Sequence, residues 1–167
     1  EAGSGWPLLL HDMAQRMQMD PMRTVLELRR EVKRDLCALT VREVLMGFPE
    51  DERILLLCLS PFERVSEDLA RMVTGRVDAP RVMEAVTRKS WMLIREKEEY
   101  TFFPFIRDAL LQELKNQYSQ EYINNLYRSA ALYYELRRDI PHAVEYYTTL
   151  NDTEKVRNLL INDSHMR

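Results

Sequence analysis

The side chains that most often do chemistry are sparse here. His11, His142 and His165 are far apart, and none lies with Cys or carboxylates at the spacing a metal ion needs. Ser90 and Ser129 have no G-x-S-x-G surroundings that would make either a nucleophile. The glycines stand at 3, 5, 47 and 75, so the chain contains no G-x-x-x-x-G-K-[ST] phosphate loop. Carboxylates are many, yet they gather at helix starts and on outer helix faces, where the helix dipole and water account for them. Cys37 and Cys58 each fall in a helical apolar pattern, the signature of buried thiols in a reducing compartment. The tyrosines at 127, 133, 134, 146 and 147 recur at helical spacing, which predicts a packed core and not a platform for bases. These residues predict no catalytic site and no metal site; the chain does not read as an enzyme.

The elements that would carry these residues are mostly helices. Pro7 and Pro21 each open a helix, and Val25, Leu28, Val32, Leu36 and Leu39 form one apolar stripe. Glu27 with Arg30 and Glu31 with Arg34 make that helix's outer face a solvated one. Thr40 and Glu43 form a capping box, and Gly47 ends the short helix they start. Pro49 opens a nearly all-apolar core helix that Ser60 and Pro61 stop. Ser66 caps a third helix facing inward through Leu69, Met72 and Val73 and ending at Gly75. A fourth follows Asp78 and Pro80 and buries Val82, Met83 and Val86. Then two apolar runs, "WMLIR" and "YTFFPF", flank a charged knot at Glu96 to Glu99 and predict a β-hairpin from Trp91 to Phe105. Alternation puts Tyr100, Phe102 and Pro104 on one face, and Thr101, Phe103 and Phe105 on the other.

Compact helices followed by a two-stranded wing predict a winged helix. Beyond Arg107 the chain reads as helix to its end, with Ser119 and Asp139 as caps. Ala130, Ala131 and Ala143 beside paired tyrosines predict close antiparallel packing of the tetratricopeptide-like kind. The expected fold is therefore mostly α, a winged helix followed by tetratricopeptide-like helices. Three segments are expected: 1–39 as linking helices, 40–114 as the winged helix, and 115–167 as the start of a helical repeat domain.

With 167 residues, 46% apolar and 31% charged, the chain has the balance of a soluble globular protein. No apolar run approaches the roughly 20 residues of a membrane-spanning helix, so no membrane partner is expected. The net charge of −3 argues against a broad phosphate-binding surface. The chain opens on Glu1 and not on Met, which predicts an excised fragment or a processed product.

Five motifs resemble the MalT-like large ATP-binding regulators of the LuxR type. Gly5, Trp6 and Pro7 are similar to that family's "GWP". Glu43, Val44, Leu45, Pro49, Arg53, Leu55, Leu56 and Ser60 follow its "EVL…LP…R.FLL…S" core. "LARMVTGR" resembles its next helix, "FFPFIRDALL" its "YHPLFRDFLR" motif, and "AALYYELRRDIPHAVEYYTTLND" its first superhelical repeat. The resemblance covers most of residues 3 to 162. It implies a signal-transducing ATPase of the bacterial cytoplasm: a nucleotide-binding module, a winged helix, a helical repeat sensor and a C-terminal DNA-binding domain. This chain would hold the end of the first, which makes residues 1–39 the end of the nucleotide-binding module, together with the winged helix and the first repeats.

The resemblance also implies partners and one site residue. The full-length protein would bind ATP or ADP, and this chain none by itself. The winged helix would contact its own nucleotide-binding module, and an inducer or partner protein would meet the repeats. DNA would be reached only through the C-terminal domain, absent here. The family commonly carries a histidine in the motif after the second strand, which related ATPases use to touch the phosphates of ADP; this chain has Phe103 there, which cannot donate to a phosphate. Phe103 is thus the one cofactor-binding position the resemblance points to; the competing expectation is that its ring joins a core. The resulting function is non-catalytic regulation of a switch. Its rival is a winged helix that binds DNA directly.

Overall fold

The computed structural model describes residue 35 and residues 39–165. The helices expected from Pro7 and Pro21, the apolar stripe before Leu39, and Cys37 lie outside the described residues. The first described helix, α1, occupies residues 39–46 and turns Val41 and Leu45 inward, four residues apart on one face. Thr40 lies within this helix and does not begin it, so the expected capping box is not its start. Gly47 ends it, its N–H reaching the Val44 carbonyl at 3.0 Å.

The winged helix follows in chain order. Helix α2 (Glu50–Leu59) starts behind Pro49 with three acids in its first turn. Its run from Leu55 to Leu59 is buried throughout, which makes it the axis of the core. Strand β1 (Arg64–Ser66) comes next, and Ser66 then caps α3 (Glu67–Thr74) by accepting from the Leu69 N–H at 3.2 Å. Gly75 closes α3 at φ 66°, a left-handed conformation that favours glycine. Met72, expected to face inward, is 37% exposed, and Ala70 takes the buried position instead. Helix α4 (Ala79–Lys89) buries Val82, Met83 and Val86 as its spacing predicts.

The wing is β2 (Leu93–Glu96) and β3 (Glu99–Phe102), with Glu96 opposite Glu99 and Lys97 at φ 60° in the turn. The expected two-stranded wing is present, and a third strand joins it. The sheet order is β1-β3-β2, antiparallel throughout, so β3 is central and Val65 pairs with Tyr100. The hairpin is also shorter than expected at both ends. Trp91 and Met92 precede β2, while Phe103 and Pro104 leave the sheet. Proline has no N–H for a ladder but suits the first turn of a helix, and Pro104 duly opens α5 (Pro104–Gln117).

Three more helices follow: α6 (Gln120–Leu136), α7 (Ile140–Thr149) and α8 (Thr153–His165). Ser119 caps α6 by accepting from the Tyr122 N–H, and Asp139 caps α7 by accepting from the His142 N–H. Ala130, Ala131 and Ala143 are fully buried, which lets the helix axes approach closely. One continuous apolar core runs from Val41 to Ala130, and a smaller one joins Ala131, Ala143, Tyr147 and Leu159. Among the described residues no helix is long and apolar enough to cross a membrane.

Candidate functional site

Two surfaces could serve the roles raised by the sequence. The first lies at the base of the wing. Phe103 is the N-cap residue of α5, with no side-chain cap and no acid in the first turn. Pro104 has no N–H, so the Phe105 and Ile106 amides are the first-turn donors without an intrahelical partner. The ring of Phe103 is 39% exposed and that of Phe105 46% exposed. The expectation that Phe103 joins the core is therefore corrected. Once the strand ends at Phe102, alternation no longer decides where the next ring points.

Trp91, 54% exposed, completes a surface cluster with these rings. Phe103 and Phe105 stack at 6.0 Å between centroids and 21° between planes. Trp91 lies 6.3 Å from Phe103 and 6.4 Å from Phe105. Three large exposed aromatics in mutual contact form an apolar patch of the kind that marks an interaction site. Lys89, at the end of α4 two residues before Trp91, reaches back to Glu52 of α2 at 2.6 Å. One α5 turn on from Phe103, the Arg107 Nε is buried without a hydrogen-bond partner.

The residues of this patch do not compose a nucleotide site by themselves. Phe103 and Phe105 offer two rings and, with Ile106, the free backbone donors of a helix N-terminus; the one side-chain donor of the three rings is the Trp91 indole N–H. The patch adds Trp91 to Phe103 and Phe105, the two rings that alternation alone sets on one face. The cue that could have found the patch is Pro104, which turns the chain from strand to helix between two phenylalanines.

The second surface is the outer side of α4 and the wing, where a DNA-binding winged helix presents its basic residues. Arg81 and Arg88 are well exposed there. Arg88, however, is held by Glu84 at 3.2 Å, and Arg95 of the wing by the same carboxylate at 3.2 Å. Partial burial opposes ionisation of Glu84, but hydrogen bonds from Arg95 and Arg88 outweigh it and hold the carboxyl below its usual range. Arg95 also lies 3.8 Å from Glu67. Residues 40–114 carry 11 Lys or Arg and 14 Asp or Glu, a balance of 11 − 14 = −3. A face whose arginines already have carboxylate partners must break those pairs to take up phosphates. We expect no salt-sensitive binding of duplex DNA by this chain in a fluorescence anisotropy titration. Micromolar binding that collapses with added salt would contradict it.

Two further candidates among the described residues, His142 and Cys58, have partners within the fold. His142 contacts Asp139 at 2.8 Å and stacks on Tyr134 at 4.9 Å, as part of the α7 start. The buried Cys58 Sγ lies 3.2 Å from the Tyr122 hydroxyl, and burial pushes its thiol pKa up. Among the described residues no group of three or more His, Cys, Asp or Glu is placed to hold a metal ion.

The architecture defines a class: a winged helix with a three-stranded sheet, running directly into antiparallel repeat helices. Residues 41–122 match the family model of the MalT winged helix domain, and this part of the chain is a MalT-like winged helix. No curated protein matches the chain in sequence. Among solved structures the chain resembles a Signal Transduction ATPase with Numerous Domains (STAND) protein with a tetratricopeptide repeat sensor, from Pyrococcus horikoshii. The TM-score is 0.59 at 16% identity, over 91% of this chain and 26% of that one. The chain thus spans about a quarter of that protein, and the likeness is one of fold.

Proposed function

We propose that this chain is the non-catalytic regulatory part of a LuxR-type, ATP-dependent transcription regulator. Its winged helix closes on the protein's own nucleotide-binding module, which binds ATP or ADP. Its repeats receive an inducer or partner protein, and a separate C-terminal domain contacts DNA. The cytoplasm is the compartment this implies. The observation that carries the reading is the exposed Trp91–Phe103–Phe105 patch at the N-terminus of α5 in a MalT-like winged helix. By resemblance, Phe103 stands where the family commonly presents a histidine to the ADP phosphates. With no donor there, closure rests on burying the three rings and responds less to which nucleotide is bound.

Restoring a donor tests this placement. A charge-assisted hydrogen bond is worth on the order of 1.5–3 kcal/mol, about tenfold to over a hundredfold in affinity. Phe103→His in the full-length protein should therefore tighten ADP binding by that factor, measured by calorimetry. Because the ring is exposed, the substitution creates no core cavity, and both proteins should be folded for the comparison. Unchanged affinity would remove position 103 from the phosphates.

A further inference from the structure

The joint between α5 and α6 is only Tyr118 and Ser119, both extended. The contacts across it run the length of α6. The Tyr122 hydroxyl meets Cys58 of α2 at 3.2 Å. Tyr127 and, from α7, Tyr146 both set their rings edge-on to Phe62, at 6.1 and 5.7 Å. The Tyr133 hydroxyl lies 2.9 Å from Ser66 Oγ, the same oxygen that caps α3. One turn further, Arg137 pairs with Asp68 of α3 and lays its guanidinium 4.7 Å over the Tyr133 ring. Residues 122, 126, 130, 133 and 137 form a single helical stripe four turns long. Leu126 and Ala130 at its centre belong to the core of the winged helix itself.

We infer that the winged helix and the first helical hairpin are one mechanical body, fastened by α6 against α2 and α3 and locked at Ser66–Tyr133 and Asp68–Arg137. The two-residue joint is then no hinge. This holds whether or not a nucleotide module lies at the wing. If one does, a rearrangement of the repeats reaches it by carrying the wing along, not by bending at residue 118.

Native-state hydrogen exchange of the 167-residue chain, followed by mass spectrometry, tests this on two variants. Tyr133→Phe keeps the ring and deletes one hydrogen bond, so about fivefold faster exchange is expected. The acceleration should appear in α3 and α6 together. Arg137→Ala, which removes the ion pair and the ring contact, should accelerate the same two helices. Faster exchange confined to α6 with α3 unchanged, or no change in either variant, would overturn the proposal.

Discussion

Phe62→Ala should lose about 3–5 kcal/mol of stability. Phe62 is fully buried just after the Ser60–Pro61 stop, where the end of α2 turns toward the sheet. Its ring fills the space between α2 and the tyrosines of α6 and α7, and two edge-to-face contacts vanish with it. Alanine leaves a cavity that Tyr127 and Tyr146 cannot fill from their helices without moving them. Phe62→Leu, which restores most of the volume, should lose roughly half as much or less. Val77→Ala is the control: Val77 is 88% exposed, and surface changes of this kind stay within about 0.5 kcal/mol. Urea unfolding of the three variants measures all of this. A Phe62→Ala protein as stable as Val77→Ala would show that the two units do not share this core.

Stability should also fall steeply at alkaline pH. Burial pushes the Tyr134 hydroxyl up to about 12, helped by the neighbouring Tyr133, Asp139, Glu99 and Glu145. Burial pushes Tyr146 and Tyr147 higher still, and Tyr147 also donates to Glu135 at 2.6 Å. A folded-state pKa raised above the unfolded value of about 10 means the native protein keeps protons that the unfolded chain releases. The stabilising contribution is complete below about pH 10 and is lost as pH rises through the folded values. Each such tyrosine contributes a slope of up to roughly 1.4 kcal/mol per pH unit, reduced by solvent screening where the hydroxyl is partly exposed. Urea midpoints should therefore be flat from neutral pH to about 9.5 and drop beyond 10. Tyr134→Phe should make the drop shallower, and an unchanged slope in that variant would count against Tyr134 as a contributor.

How much of this was legible in the sequence follows from the range of each signal. Caps and stops act over three or four residues, and Ser66, Gly75, Ser119 and Asp139 all stand where their side chains or φ values require. Periodicity worked for α4, which has enough turns to repeat, while α2 was legible from its nearly unbroken apolar run. It failed for β1, whose three residues bury only Val65 and show no alternation to count. It misplaced Met72 because α3 is only eight residues long, and one step around it moves a side chain from core to surface. At the candidate site, position 103 was visible only through resemblance. Its companions Trp91 and Phe105 come from opposite ends of the hairpin, and their meeting depends on how the strands close. The ties between α6 and α3 join residues nearly 70 apart, beyond the reach of any local pattern.

The order of the small sheet has a consequence for how the protein behaves in a crowded solution. With β3 in the middle, β2 is an edge strand, and its unpaired backbone groups are a template for a strand from another molecule. Natural proteins discourage such pairing by keeping the edge short and charged. Here β2 has four residues, and its outer half is Arg95 and Glu96, both exposed, with Lys97 in the turn beyond. Arg95 is also held in place by Glu84 on the neighbouring helix. The charges that leave this wing poorly suited to a phosphate backbone thus also protect it from edge-to-edge aggregation.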